Sequence, residues 1–380
     1  MEELDLEQRL YHFLEKITPR DQQAYEEAGK QWDSIAKPLG SLGQFEEIVK
    51  ELAALKGSAK VGIKKPVLTV FCSDNGVVEE GVSQSGQEVT LSVMRALAKR
   101  ESTVSFMAEN FDCEVIPVDV GVAFRKEREA EGEFSSIDDI LKKNAPDEYR
   151  ILNRRIRNGT GNIAKDAAFT RKECIRAIIK GIELAGELNK SGFDLILTGE
   201  MGIGNTTTSA AVAAVLSGKD PSFFVGRGAG LPDDKLEKKL SVVKNAVSFH
   251  HPDPKDIIDV LAKLGGLDLA ALCGVFLGGA IEKIPVVIDG YIASVAALCA
   301  VRMNPLCSKA MIASHLTLEK GGQIILEEIG KSAVIQADMH LGEGGGAIML
   351  LPLLKMALSV YNSSHSFEKL GIEAYQRFEQ

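Results

Sequence analysis

Phe193–Leu216 reads FDLILTGEMGIGNTTTSAAVAAVL. Phe193 to Thr198 has the length and apolar content of a strand, Gly199 to Gly204 a turn, and Asn205 to Leu216 an Ala-rich helix. A strand passing through a glycine turn into a helix is the first half of a βαβ unit. The same grammar recurs on either side. Upstream, Pro66 to Cys72 is a continuous apolar run, as a strand covered on both faces requires. It ends in the turn Ser73-Asp74-Asn75-Gly76. A helix is predicted over about Glu88 to Asn110, then a short strand over Val115 to Gly121 despite Pro117. Residues 123–150 are polar and read as a loop or excursion. Downstream come a helix over Arg171 to Asn189, a strand at Pro285 to Gly290 with an apolar helix behind it, and a strand-like run near Val334 to Met339. The first 60 residues read as helices, with Leu42 to Leu55 the clearest. Strands alternating with helices predict an α/β fold, a Rossmann-like parallel sheet flanked by helices. Ligands of such sheets bind beyond the carboxyl ends of the strands. Asp74-Asn75-Gly76, Asp119-Val120-Gly121, Gly199 to Thr207, Asp289-Gly290 and Gly342 to Gly346 are therefore expected to meet at one sheet edge.

Composition narrows the function. Acids outnumber bases 53 to 44, for a net charge of −9, which argues against a nucleic-acid binder with its basic face. The basic run Arg154, Arg155 and Arg157 reads as a solvated segment or a local structural cluster. Cys72, Cys113, Cys174, Cys273, Cys299 and Cys307 show no C-x-x-C spacing and are expected as buried thiols of a reducing cytoplasm. The acidic, amphipathic start does not read as a signal peptide. The most apolar stretch, Leu267 to Val301, is interrupted by Glu282, Lys283 and Asp289, so no membrane span is expected. Glycines number 36 in 380 residues, above the usual share of about 7%. Ten of them fall within 199–204, 226–230 and 342–346, where backbone can approach a ligand closely.

Three segments could carry chemistry. In Thr198 to Thr208, glycines expose N–H groups, Asn205 and the threonines add donors, and a helix begins. These features suit a phosphate cradle, though the pattern also fits a capped helix after a tight turn. It is neither a P-loop nor a dinucleotide fingerprint. Glu200 beside such a cradle suits a sugar hydroxyl or a proton. In Leu341 to Gly346 a single carboxylate, Glu343, sits among glycines. Partly desolvated, it would serve as a general base; the alternative is a solvated turn. Gly226-Arg227-Gly228-Ala229-Gly230, followed by Lys235, Lys238 and Lys239, suits phosphate or a surface loop. His250-His251 lacks metal-ligand spacing, and His315 and His340 are donors or core histidines.

Together these segments resemble the nicotinate-nucleotide–dimethylbenzimidazole phosphoribosyltransferase family. The likeness runs from about residue 30 to 360, through Lys37-Pro38-Leu39-Gly40-Ser41-Leu42-Gly43, Asp74-Asn75-Gly76-Val77, Glu80-Gly81-Val82, Val89-Thr90 and Asp119-Val120-Gly121. It continues through Gly161-Asn162-Ile163-Ala164, Gly199 to Thr207, Asp289-Gly290, Ser314-His315 and Leu341-Gly342-Glu343-Gly344. The resemblance implies a parallel α/β core over 61–345 and a smaller, mostly helical domain from the chain ends, 1–60 and 346–380. It implies a homodimer without metal or organic cofactor. It also implies transfer of phosphoribosyl from nicotinate mononucleotide to 5,6-dimethylbenzimidazole, giving α-ribazole 5′-phosphate and nicotinate for cobalamin nucleotide-loop assembly. Glu343 matches the family's catalytic glutamate, and Glu200 would bind ribose or steady positive charge at C1′. Gly202, Ile203, Gly204, Asn205, Thr206, Thr207, Lys239, Asp289, Gly290 and Thr317 would hold phosphate and ribose. Ser85, Val93, Met201 and Leu341 would face the acceptor base. Val93 stands where the family has a glutamine, and Gly86 where it has a proline, so a purine or phenolic acceptor remains an alternative. Phenol-using relatives act as paired subunits, which leaves a hetero-oligomer open. The competing readings are a non-catalytic nucleotide-binding paralogue and an unrelated enzyme with a convergent cradle.

Overall fold

A computed structural model describes residues 2–123, 133–142, 150–228 and 230–376. Its strands are β1 (Pro66–Ser73), β2 (Glu114–Gly121), β3 (Glu133–Phe134), β4 (Ile151–Asn153), β5 (Leu195–Met201), β6 (Val286–Ile288), β7 (Met311–Ala313), β8 (His315–Leu316) and β9 (Ile335–Gln336). The first seven form one sheet in the order β3-β4-β2-β1-β5-β6-β7, and every neighbouring pair is parallel. The chain builds outward from β1 on one side and then crosses to β5 on the other. The switch point therefore lies between β1 and β5, where an open parallel sheet forms its ligand crevice.

Side chains alternate across the sheet. Val67, Phe71, Ile116, Val118 and Ile196 enter one apolar core, with helices Arg171–Lys190, Asn205–Ser217, Leu267–Glu282 and Tyr291–Met303. Leu68, Val70, Cys72, Leu195 and Leu197 enter a second core on the opposite face. There helices Gln22–Ser34, Gln44–Lys56 and Gly345–Tyr361 form a helical lobe. Trp32 and Tyr361 meet within it with ring centroids 4.9 Å apart, a contact type adding about 0.5–1.5 kcal/mol beyond area burial. The helix Glu2–Leu14 instead lies against Arg171–Lys190, with Arg9 paired to Glu183 and Leu10 in the first core.

Three expectations need correction. The helix placed over 88–110 is two helices, Glu88–Ala98 and Thr103–Glu109. Arg100 turns left-handed at φ +62°, and Ser102 caps the second helix by accepting from the Ser105 N–H. Val334–Met339 is no strand of the main sheet; among the described residues Ile335–Gln336 pairs only with His315–Leu316. Within 123–150 the chain is not all loop, since β3 and the helix Ile137–Lys142 lie there; 124–132 and 143–149 fall outside the described residues. Pro117 is tolerated in β2 because pairing with β4 begins only at Val118.

The arginine run is a structural cluster. Arg154 reaches Glu187 and Ser135 O, Arg155 pairs with Asp119, and Arg157 pairs with Glu173. All six cysteines are buried and unpaired. Among the described residues no helix is long and apolar enough to cross a membrane.

Candidate active site

At the carboxyl ends of β5 and β6 lies a cleft of about 190 Å³. Glu200 to Thr206, Gly228, Asp289, Gly290, Tyr291, Ile292, His315, Thr317, Glu319, His340 and Leu341 to Glu343 line it, with Ser83 at its side. A larger hollow of about 340 Å³ lies between helix Gln44–Lys56 and the edge strand β7. The smaller cleft is taken as the site because the acids and glycine turns converge on it.

Its floor is built from backbone. Gly199 of β5 has Glu343 stacked on it: a Cβ at 199 would lie 2.6 Å from the Glu343 carbonyl. Gly342, Glu343 and Gly344 all take positive φ, at +78°, +57° and +91°. For a glutamate this conformation costs roughly 1–2 kcal/mol, so the surroundings must impose it. Asp289, at the end of β6, does so. Its carboxylate accepts from the N–H groups of Gly344 at 3.1 Å and Ala347 at 3.0 Å. It thereby anchors the N-terminus of helix Gly345–Tyr361, where a negative charge also meets the helix dipole. Ser314 donates to Asp289 O at 2.9 Å and lies 3.0 Å from His315 Nδ1. With the single Ser314 proton so used, His315 Nδ1 carries the hydrogen and Nε2 is left as an acceptor. Burial lowers the His315 pKa against the pull of Asp289.

The acids crowd one another. Glu200 is pushed up to about 8 by burial, then by Asp268 and Asp289, with Glu343 adding to the effect. Burial and Asp289 also raise Glu343. Asp268 rises to about 6, mainly by burial. Asn205 bridges two of these acids: its Nδ2 donates to Glu200 Oε2 and, at 3.1 Å, to Asp268 Oδ2.

At the opposite end the Asn205–Ser217 helix starts behind the left-handed Gly204, at φ +93°. Lys239 is wholly buried and does not line the cleft. Its ammonium donates to Thr206 Oγ1 at 2.7 Å and Gly226 O at 3.1 Å. Burial lowers it to about 8, opposed by the charge of Glu319. Lys238 is exposed and Lys235 only partly buried. Ala229 lies outside the described residues.

The structure thus brings together Glu200, Met201, Gly202, Ile203, Gly204, Asn205, Thr206, Asp289, Gly290, Thr317, Leu341 and Glu343. It leaves others aside. Thr207 is fully buried behind the cleft, and Val93 packs half-buried against the second core. Ser85 sits in the turn before helix Glu88–Ala98, its N–H donating to Ser83 Oγ at 3.3 Å, and it is Ser83 that lines the cleft. Asp74 and Asn75 are buried, and Asp119 turns to the Gly121 and Val122 N–H groups. Asp268 was not singled out from sequence, because it hides in the apolar run Leu267-Asp268-Leu269.

Residues 17–372 match the Phosphoribosyltransferase family. A protein of Ruminiclostridium cellulolyticum named nicotinate-nucleotide–dimethylbenzimidazole phosphoribosyltransferase is 43% identical over 354 residues, covering 93% of this chain and 95% of its own. The chain belongs to this family. Another member, from Acetivibrio thermocellus and of the same name, is 40% identical over 97% of this chain and 99% of its own. Among solved phosphoribosyltransferases of the family, the crystal structure of CobT from Thermus thermophilus superposes with a TM-score of 0.82. It is 34% identical and covers 92% of this chain and 99% of that one. The family's parallel-sheet fold is thus this chain's fold, and its class of enzyme, the phosphoribosyltransferases, is this chain's class.

Proposed function

We propose that this enzyme transfers phosphoribosyl from nicotinate mononucleotide to 5,6-dimethylbenzimidazole, releasing nicotinate and α-ribazole 5′-phosphate, as a step in cobalamin lower-ligand activation. The observation that carries the reading is Glu343, held left-handed over Gly199 at the cleft with its carboxyl raised by burial and Asp289. A raised carboxylate is a better base near neutral pH. In this scheme one azole nitrogen forms the bond to C1′ as the bond from C1′ to nicotinate breaks. The proton on the other azole nitrogen passes to Glu343. Attack opposite the leaving group turns the β donor into the α product.

The remaining groups hold the nucleotide. Gly202 to Gly204 and Thr206, with Lys239 behind Thr206, and Thr317 surround the phosphate end, while Asn205 faces the ribose. Lys239 donates to Thr206 Oγ1, so the Thr206 hydroxyl proton is free to point at a phosphate oxygen. Asp289 and Gly290 shape the ribose pocket. Glu200 holds a proton near neutral pH, and its carboxyl would bind the ribose or steady the positive charge that grows at C1′. Met201 and Leu341 flank the flat acceptor. Such positioning supplies much of the barrier reduction.

The enzyme works as a homodimer in this reading. Met349, Met356 and Val360 are exposed on helix Gly345–Tyr361, and with half-buried Leu353 they form one apolar stripe at spacings suited to a helical seam. Helices Gln22–Ser34 and Gln44–Lys56 from one chain end and Gly345–Tyr361 from the other make up the smaller domain in this reading. Six buried, unpaired thiols support a reducing, cytoplasmic setting. The deciding experiment incubates purified protein with nicotinate mononucleotide and a panel of 5,6-dimethylbenzimidazole, adenine and phenol. Nicotinate release with the benzimidazole is expected. Release only with the purine or phenol would reassign the acceptor, and no release with any would overturn the reading.

A further inference from the structure

The Asn205 amide nitrogen has two hydrogens, and both are committed: one to Glu200, one to Asp268. Asp268 is itself fixed, because its other oxygen accepts from the Leu269 N–H at 3.0 Å. It is fully buried and does not line the cleft. An asparagine amide otherwise flips at little cost, presenting either a donor or an acceptor. Two acids on the same nitrogen remove that freedom. The amide carbonyl accepts from no described residue and belongs to a side chain lining the cleft. It can therefore serve only as an acceptor, suited to a hydroxyl of a bound sugar.

We propose that Asp268 is a positioning residue, which locks the Asn205 amide so that its nitrogen clamps the Glu200 carboxyl and its carbonyl oxygen is offered to a substrate hydroxyl. The proposal rests on the phosphoribosyltransferase reading. Electrostatics support it independently. Glu200 is faced by Asp268 from helix Leu267–Glu282, by Asp289 from the end of β6 and by Glu343 from the 342–344 turn. Asp74, from the end of β1, faces Asp268 in turn. Of the three acids facing Glu200, Asp268 contributes most to keeping it protonated, and it alone shares a donor with it.

The test is a double-mutant cycle on the full-length enzyme with nicotinate mononucleotide and dimethylbenzimidazole. Nicotinate release by the unaltered enzyme first establishes the reaction, so its absence counts against the proposed function and not against this assignment. D268N and N205A are each expected to lower kcat/KM at least about tenfold, as lost hydrogen bonds to charged groups do. The double variant should fall no further than the worse single one, because Asp268 acts through Asn205. The pH profile gives a readout that a purely structural role would not move. Removing the Asp268 charge should shift the limb set by Glu200 toward acid by about one unit, whereas N205A should shift it toward alkali. Additive losses, or D268N with an unmoved limb and a loss that only tracks its melting temperature, would overturn the proposal. If D268N does not fold, the same cycle with D268S decides.

Discussion

Replacing Glu200 by Gln should make the empty enzyme more stable, by an amount that depends on pH. Burial and its acidic neighbours raise the carboxyl from 4.5 to about 8. The folded chain therefore keeps a proton that the unfolded chain releases above 4.5. Where the native state binds more protons, stability falls as pH rises, here between 4.5 and about 8. At pH 7 the cost relative to a neutral side chain is about 3 kcal/mol, and near pH 5 about 1 kcal/mol. Glutamine keeps the shape and leaves a carbonyl for the Asn205 amide. With an unfolding entropy of about 2.1 cal/mol/K per residue, a 380-residue chain gains roughly 4 °C in Tm at pH 7 and about 1 °C near pH 5. Thermal unfolding of the ligand-free E200Q and unaltered proteins in matched buffers reads this directly, and the same variant should lose turnover. A Tm difference of equal size at both pH values, or a fall at pH 7, would refute the view that a crowded carboxyl is held here at the expense of stability.

Other outcomes follow from the same geometry. E343Q should lose about 10²–10⁴-fold in kcat, the usual worth of a general base, yet bind nicotinate mononucleotide normally by calorimetry; near-normal turnover would remove Glu343 as the base. Gly199→Ala puts a methyl 2.6 Å from the Glu343 carbonyl, so it should displace the catalytic turn and abolish nicotinate release while far-ultraviolet circular dichroism stays native-like. M349E combined with M356E should halve the mass measured by light scattering; an unchanged mass would place the dimer contact elsewhere.

What the sequence disclosed depended on how local the cause was. β1 and β5 are covered on both faces, so their apolar runs are uninterrupted and were plain to read. The break at Arg100 was not, because a non-glycine residue takes a left-handed turn there without a glycine or proline to mark it. The β8–β9 pair looked like a sheet strand because its local residues suit extension, while only tertiary pairing decides the partner. In the site, glycine-flanked Glu200 and Glu343 announced themselves. Asp268 did not, since its role arises from meeting Asn205 across 63 residues. Lys239 was indistinguishable in type from Lys235 and Lys238; its helix face alone buries it against Thr206.

The helix Gly345–Tyr361 begins at the Asp289 carboxylate and ends with Tyr361 beside Trp32, its hydroxyl donating to Ala59 O at 2.8 Å. Seventeen residues of helix make a rod of about 25 Å, and rods transmit displacement. The Glu343 turn is clamped at one end of this lever, and its far end is bolted to helices from the start of the chain. Loosening the Trp32–Tyr361 contact, though distant from the cleft, would thus free the lever's fulcrum and be read out in the chemistry before it was read out in the fold.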